Sequence, residues 1–316
     1  MDTKYGIISD IHQAHPRLVD VAIKVLIQEG AQKLVLNGDL VGDKFPDPQL
    51  DEQNYAALVL QLAGKSGLET YVNEGSHECL PLFIPVMKTL SSHYGNLIDA
   101  MTQPKIEWQD HDLVFLPGSD WHGGNAFEHG GYFLHTTDGG TSSKPKERYA
   151  VVNMNTLRNL ATNPETTIVF SHIPRKFDRL ETGVDMAYFA QHIVNGSILP
   201  GVVKEKEIRQ KHGDIPFSAV EEIAAQGLYR FKRENRGNED LRKLYQELGI
   251  TKNMTGHFHE SAHRAHDSNA VPVAEGEYTS QLFWNASYLD DGKVGILSVR
   301  ENTAAYRNID LHNSLR

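Results

Sequence analysis

The sequence is poor in cysteine, with Cys79 the single one among 316 residues. One thiol excludes an intrachain disulfide framework and any metal site built from cysteines alone. The sequence also lacks an apolar run close to the roughly 18 residues that a membrane span requires. Its first residues lead directly into an apolar segment, without the basic and apolar regions of a signal peptide. These absences predict a soluble, cytoplasmic protein.

Positive charge is scarce as well, because 31 lysines and arginines stand against 41 aspartates and glutamates, a net charge of −10. This balance disfavours a broad basic surface for duplex nucleic acid, although it leaves room for a local basic pocket. The sequence also lacks the glycine-rich loops of triphosphate- and dinucleotide-binding folds, and the G-x-S-x-G turn of serine hydrolases. The sequence therefore gives no support for a triphosphate-binding site, a dinucleotide-binding site or a serine-hydrolase site.

Short apolar runs alternate with amphipathic helical patterns over the first hundred residues. The patterns predict strands at residues 5–9, 33–37 and 70–73, and helices at residues 17–28, 51–63 and 80–93. Strands that alternate with helices in this way predict right-handed βαβ units and a mainly parallel sheet.

The pattern changes after residue 100. It predicts a hairpin from residues 105–108 and 112–116, a helix at about 154–161, and a strand at 166–170. Four strands with antiparallel pairing are predicted near the C-terminus, at residues 270–274, 279–284, 293–299 and 304–309.

Two stretches fall outside this order. Residues 119–149 are rich in Gly, His, Thr and Ser, and residues 173–249 are mostly polar. In the second stretch, helices are predicted at residues 185–194, 218–226 and 238–248. Because long loops in compact domains usually serve function, we interpret both as insertions that form a loop and helical cap on one domain, residues 1–316.

Acidic and imidazole side chains follow the apolar strands, at the point where each strand ends. They are Asp10 and His12, Asp39, the run Ser76-His77-Glu78, His172, and the pair His257 and His259. The carboxyl ends of parallel strands line one edge of a sheet, where ligand sites form. In D-x-H and H-x-H, alternate side chains of an extended segment point the same way. Five segments are therefore expected to deliver these groups to one place.

The ligand types indicate the class of metal. Imidazole and carboxylate groups without thiolates suit divalent Mn, Fe, Co, Ni or Zn. Gly38, Gly75 and Gly256 lie beside the expected ligands and permit tight turns between strand and loop.

The ordered series D-x-H, G-D, G-S-H-E, H and G-H-x-H resembles the calcineurin-like metallophosphoesterase superfamily over residues 5 to about 260. The resemblance implies an α/β fold, a four-layer α/β/β/α sandwich with two mixed sheets flanked by helices. It also implies two divalent ions, with Mn expected and Fe, Zn, Ni or Co as alternatives. By this resemblance the first ion is held by Asp10, His12 and His259, Asp39 bridges both ions, and the second is held by His172 and His257.

The chain departs from the family at one ligand, because the asparagine that binds the second metal is Ser76 here. A hydroxyl is shorter than an amide, so Ser76 binds the ion directly, through water, or not at all. Asn73 and Asn285 are candidates for compensation. Asp43 resembles the last acid of a family G-D-x-x-D pattern but stands one position late.

The resemblance implies a catalytic role for His77, which would hydrogen-bond a phosphoryl oxygen or protonate the leaving group, with Glu78 as its orienting partner. Arg175 and Lys176 follow His172 closely and are candidates for binding a second phosphate or a substrate tail. Two ions ~3.5–4 Å apart share a water, lower its pKa toward ~7 and direct it in line at phosphorus.

The predicted function is therefore hydrolysis of a small phosphate ester, a phosphodiester rather than a monoester, by attack of a metal-bridging hydroxide. Two alternatives stay open. One is a Mn-dependent nuclease of the same superfamily, which would need a basic channel for a nucleic-acid strand. The other is a non-catalytic metal-binding or protein-binding scaffold, weakened at Ser76.

Overall fold

The structure is a computed structural model that describes residues 2–12, 14–42, 51–78, 80–119 and 157–314. Asp43, the predicted insertion beyond Ser119, and the first residues of the helix predicted at 154–161 lie outside the described residues. None of the described helices is both long and apolar enough to cross a membrane.

The described elements follow in chain order. The strands are β1 (Thr3–Ile8), β2 (Lys33–Asn37), β3 (Glu69–Asn73), β4 (Leu97–Asp99), β5 (Lys105–Glu107), β6 (Asp112–Leu116), β7 (Thr167–Ser171), β8 (Met186–His192), β9 (Ile198–Pro200), β10 (Tyr229–Asn235), β11 (Lys252–Thr255), β12 (Ala265–His266), β13 (Leu282–Asn285), β14 (Lys293–Arg300) and β15 (Thr303–Asp310). The α-helices are α1 (Pro16–Gln28), α2 (Glu52–Lys65), α3 (Leu80–His93), α4 (Leu157–Leu160), α5 (Gly201–His212), α6 (Phe217–Gln226), α7 (Glu239–Leu248) and α8 (Leu311–Ser314).

The first six-stranded sheet has the order β15-β14-β1-β2-β3-β4. Strands β1 to β4 run parallel and are connected by α1, α2 and α3, which confirms the predicted βαβ units. On the other side of β1, β14 pairs antiparallel with β1 and with β15. The last two predicted strands therefore extend this sheet.

The second six-stranded sheet has the order β12-β13-β11-β7-β6-β5. Its four central strands run parallel, and β5 and β6 form the predicted antiparallel hairpin. The strand predicted at residues 270–274 is wrong, because Pro272 makes only an isolated bridge to His266. Proline has no N–H to continue a ladder. The edge position is taken instead by β12, and β13 pairs parallel with β11 on its other side.

Alternate side chains of the strands build separate hydrophobic layers. Along β2, Leu34 and Leu36 pack toward the first three helices, while Val35 packs between the two sheets. Behind the second sheet, a third cluster includes Leu157 of α4 and Tyr245 of α7. Helices thus cover the outer face of each sheet, and the predicted four-layer α/β/β/α sandwich is confirmed.

Residues 173–249 contain more than the predicted helices. The helices expected at 218–226 and 238–248 are present as α6 and α7, but residues 186–192 form strand β8 rather than a helix. Strand β8 is the centre of a three-stranded antiparallel sheet of order β10-β8-β9. Aromatic residues such as Tyr188 and Phe189 favour strands, and pairing with the distant β10 over seven positions overrides local helical spacing.

Candidate metal centre

The predicted acidic and imidazole residues lie together at the strand ends. Asp10 and His12 follow β1, Asp39 follows β2, and His77 follows β3 of the first sheet. The second sheet contributes three more, since His172 directly follows β7 while His257 and His259 follow β11. Both sheets therefore deliver their polar strand ends to one edge of the sandwich.

One cluster is formed by Asp10, His12 and His259, whose potential ligand atoms all lie within 4.8 Å of one another. The Nε2 atom of His259 is 3.2 Å from Oδ1 of Asp10 and 3.1 Å from Nε2 of His12. Three such groups that converge on one point fit the ligand set expected for the first ion.

A second cluster is formed by Asp39, His172 and His257, again with ligand atoms within 4.8 Å of one another. The Nε2 atom of His172 is 2.9 Å from Oδ2 of Asp39. Its Nδ1 atom lies 3.1 Å from the carbonyl oxygen of Asn37 and donates to it, so Nε2 is the nitrogen that faces the cluster. That Nε2 is buried and has no hydrogen-bond partner among the described residues, which fits a metal ligand.

Asp39 belongs to a third grouping, with His12 and His77. Its Oδ2 atom is 3.6 Å from Nε2 of His12 and 3.9 Å from Nε2 of His77. The carboxylate of Asp39 thus lies between the two clusters, as expected for a bridging ligand.

The electrostatics of the site favour bound cations. Burial opposes a charge on His172, yet the carboxylates of Asp39 and Asp10 outweigh burial and raise its pKa to about 10. Burial also opposes ionisation of both carboxyls, but the surrounding imidazoles hold their pKa values well below the usual range. Burial and the neighbouring His172 lower the pKa of His257 to about 3, so this imidazole is neutral, which is the form that binds a metal ion.

Unusual backbone conformations concentrate at the site. Among the described residues, eight other than glycine have positive φ, and four of them are the expected ligands Asp10, His12, Asp39 and His257. Each such residue costs of the order of 1 kcal/mol or more, and such strain clusters at functional sites.

Three glycines lie where no side chain fits. A Cβ on Gly38 would lie 2.4 Å from Nδ1 of His172, and one on Gly75 would lie 2.4 Å from Oδ1 of Asp39. A Cβ on Gly256 would lie 2.2 Å from Oδ2 of Asp10. The glycines are therefore needed for the close approach of the backbone to the site.

Glu78 differs from its predicted role as the partner of the His77 ring. Its buried carboxylate accepts hydrogen bonds from the backbone N–H of Leu40 at 2.5 Å and of Gly75 at 2.6 Å. Burial and the nearby Asp39 raise the pKa of this carboxyl. Glu78 therefore ties the loop after β2 to the loop after β3, which bears His77.

Ser76 lies against Asp39, to which its backbone N–H and its hydroxyl both donate. The two asparagines considered as replacements for the missing ligand use their amide nitrogens elsewhere. The amide N–H of Asn73 donates to Oδ1 of Asn37 at 2.9 Å, and that of Asn285 donates to the carbonyl of Phe258 at 2.9 Å. Their side-chain oxygens, the atoms that could bind an ion, are buried and make no hydrogen bond among the described residues, so compensation by these asparagines stays a prediction.

Arg175 is not brought together with the metal-site residues. Its guanidinium carbon lies 4.1 Å from the ring centroid of Phe177 and 4.5 Å from that of Phe283. It also donates to the carbonyl of Ser268 at 2.8 Å, and the residue is 5% exposed. These contacts give Arg175 a packing role in this structure, and the substrate contact expected from the sequence stays a prediction.

Two supporting residues were missed by the sequence analysis. The hydroxyl of Ser9 donates to Oδ2 of Asp10 at 2.5 Å, and the ring of Tyr288 stacks on His259 with centroids 4.0 Å apart. Ser9 directly precedes Asp10 in the sequence, and this position could have identified it as a supporting residue. Tyr288 is far from any motif in the sequence, and only the fold brings it to the site.

A four-layer sandwich whose strand ends gather two Asp/His clusters defines the class of metallophosphoesterases. The chain belongs to the calcineurin-like phosphoesterase family, whose family model matches residues 3–261. A comparison with curated proteins gives no match.

Two solved structures share the fold. The protein TT1561 of Thermus thermophilus matches with a TM-score of 0.54 at 10% identity, over 98% of this chain and 99% of that one. A dimetal phosphatase from Danio rerio matches with a TM-score of 0.50 at 11% identity, over 98% of both chains. At such low identity these likenesses show the fold alone.

Proposed function

We propose that this chain hydrolyses phosphate esters, and phosphodiesters in preference to monoesters, with the help of two divalent metal ions. The observation that supports the proposal best is the pair of Asp/His clusters with the carboxylate of Asp39 between them, since Asp39 belongs to the second cluster and lies 3.6 Å from His12 of the first. A carboxylate placed in this way suits a two-metal centre for displacement at phosphorus.

The residues present fit such ions. Asp10, His12 and His259 would hold the first ion, and Asp39 would bridge to the second, which His172 and His257 would also bind. The buried Nε2 of His172, without a partner among the described residues, supports this assignment. Bound ions would supply Lewis acidity and a water of lowered pKa, and Mn is the expected metal.

The side chain of His77 is the expected catalytic group of the protein itself. It is 24% exposed, so it can reach a substrate, while its ring packs edge-on to His12 with centroids 4.7 Å apart. Its backbone N–H donates to Oδ1 of Asp39 at 3.0 Å, which fixes the loop from which the ring projects. From there the imidazole would hydrogen-bond a phosphoryl oxygen or protonate the leaving group.

The preference for a diester rests on charge. A phosphate monoester carries close to two negative charges at neutral pH, while a diester carries one. The hydroxyl of Ser76 donates to the Asp39 carboxylate, so the second cluster lacks the amide ligand of the family and would hold its ion less tightly. A site with less positive charge is better matched to the diester monoanion.

The experiment is a comparison of bis-p-nitrophenyl phosphate with p-nitrophenyl phosphate, with Mn²⁺ added and with EDTA. We expect turnover with Mn²⁺, a higher kcat/KM for the diester, and loss of turnover with EDTA. Equal or higher kcat/KM for the monoester would contradict the diester preference. Tight metal binding without turnover of either ester would contradict the hydrolase and favour a scaffold.

A further inference from the structure

The small sheet of residues 186–235 has two different faces. Helices α5 and α6 cover one face, where Phe231 of β10 packs with Val220 of α6. In the register of β8 and β10, Lys232 stands opposite Phe189, so their side chains point to the other face. Gln191 and Ile198 are likewise paired between β8 and β9 and share that second face.

A groove of about 390 Å³ runs along this second face. Among the described residues its lining is mainly polar and basic, and it comprises Lys176, Phe189, Gln191, Ile198, Lys232, Glu234, Asn235, Arg236 and Gly237. The lining thus contains three cationic side chains and one carboxylate, although the net charge of the whole chain is −10.

Two of these cations are available for a ligand. Lys232 lies 3.6 Å from Glu234, which neutralises it in part. Neither Lys176 nor Arg236 has a carboxylate partner among the described residues, and Lys176 is half-buried. The guanidinium of Arg236 lies over the ring of Phe189, 4.9 Å from its centroid. Stacking of this kind orients a guanidinium and leaves its N–H groups free to bind an anion.

The groove adjoins the metal centre. Phe189 belongs to a small buried cluster with Ala187 and Phe258. Phe258 stands between the expected ligands His257 and His259, and its ring centroid is 4.7 Å from that of His257. The rings of Phe189 and Phe258 therefore lie between Arg236 and the expected ligand His257. Lys176 lies four residues after His172.

We propose that this groove binds a second anionic group of the substrate, a phosphate, while the scissile phosphate lies at the metal centre. The proposal rests on the proposed function and deepens it, because it names the substrate class as small phosphoesters that carry a further phosphate. Lys176 and Arg236 are the specificity-determining residues, and Phe189 is the surface on which Arg236 is held.

The size and charge of the groove favour a small molecule over a nucleic-acid strand. A strand-binding channel needs cations along several nucleotides and aromatic platforms for the bases. Here two free cations and one largely covered ring, 4% exposed, occupy one groove. Charge-assisted contacts from a guanidinium and an ammonium match one phosphate group.

The test uses the full chain loaded with Mn²⁺ and a series of p-nitrophenyl ω-phosphoalkyl phosphates, diesters whose alkyl chain of increasing length ends in a second phosphate. Each is compared with the p-nitrophenyl alkyl phosphate of the same chain length, so that the pair differs only in the second phosphate. Release of p-nitrophenol gives kcat/KM for both. We expect the ratio of the two values to peak at one chain length, and to fall at high salt because exposed charges are screened.

The variants are Lys176→Gln and Arg236→Gln, with Arg233→Gln as the control. Arg233 is likewise an exposed arginine, but it belongs to β10 and lies over Tyr188 on the helix-covered face, 5.2 Å from the ring centroid. Each groove variant should lower the peak ratio roughly tenfold, mainly through KM, as expected for loss of one charge-assisted contact. The control should leave the ratio unchanged.

A ratio near one at every chain length would overturn the proposal, and so would a ratio that all three variants lower equally. Mn-dependent cleavage of a short single-stranded oligonucleotide that requires Arg236 would overturn the small-molecule class. These failures differ from failure of the proposed function, in which no phosphate ester of any kind is hydrolysed.

Discussion

The hydroxyl of Ser76 donates to both carboxylate oxygens of Asp39, 3.0 Å from Oδ1 and 2.9 Å from Oδ2. The backbone N–H of Ser76 adds a third hydrogen bond to Oδ1, at 2.5 Å. By its resemblance to the family, Ser76 stands where an asparagine ligand is expected. Here its polar groups donate to Asp39, the carboxylate expected to bridge the two ions.

We predict that Ser76→Asn strengthens binding of the second metal ion. The longer amide would restore the ligand of the family, and affinity should rise by about tenfold or more, the scale of effects seen for groups that support metal ligands. Titration calorimetry with Mn²⁺ on metal-free protein measures both binding steps. Ser76→Ala is the control and should give no gain; identical second-step affinities in the parent and the Asn variant would refute this role of position 76.

We predict that Gly75→Ala disables the site without unfolding the chain. The added Cβ would lie 2.4 Å from Oδ1 of Asp39, so the carboxylate must move. Displacement of a catalytic group by about 1 Å costs roughly 100-fold in rate. Gly95→Ala is the matched control, because its Cβ would meet nothing within 4 Å. Equal kcat/KM in both variants, measured with bis-p-nitrophenyl phosphate, would contradict the geometry of this loop.

We predict that His266 makes stability depend on pH below neutrality. Its Nε2 accepts the backbone N–H of Val184 at 3.0 Å, which requires a neutral ring. Burial lowers the pKa of His266 to about 4, and the nearby charge of Arg175 adds to the effect. Because the folded pKa lies below the unfolded one, the unfolded chain binds more protons between these values. The stability from His266 is therefore complete above pH ~6.5 and is lost as the pH falls toward ~4.

Urea unfolding of the parent and of His266→Gln between pH 7 and 4 measures this effect. Relative to the variant, the parent should lose about 3 kcal/mol of unfolding free energy over that range. A difference between the two proteins that stays constant with pH would show that His266 does not titrate in this way.

The sequence predicted the parts of the fold that local patterns determine. The bounds predicted for β2 and α3 agree with the structure, because apolar spacing within each segment specifies its element. The juxtaposition of the expected ligands was likewise predictable, because the carboxyl ends of parallel strands meet at one edge of a sheet. The structure then brought Asp10, Asp39 and His172 together from three distant segments.

Features that depend on contacts between distant residues were not predictable. Strand β8 is stabilised by pairing with β10, and no local sequence pattern indicates that these two segments pair. Arg175 stands three residues after His172, and sequence spacing does not show that its guanidinium packs on the rings of Phe177 and Phe283. The hydrogen bonds of Ser76 to Asp39 follow from the crossing of two loops, which sequence spacing does not describe.

The most direct test is the activity of Asp39→Asn, since its carboxylate is common to two of the three Asp/His groupings. Bis-p-nitrophenyl phosphate hydrolysis and metal content by elemental analysis should be measured for the parent, for Asp39→Asn and for His77→Ala. The account predicts that Asp39→Asn loses bound metal together with activity, while His77→Ala loses activity but keeps its metal. Full activity and full metal content in Asp39→Asn would contradict it.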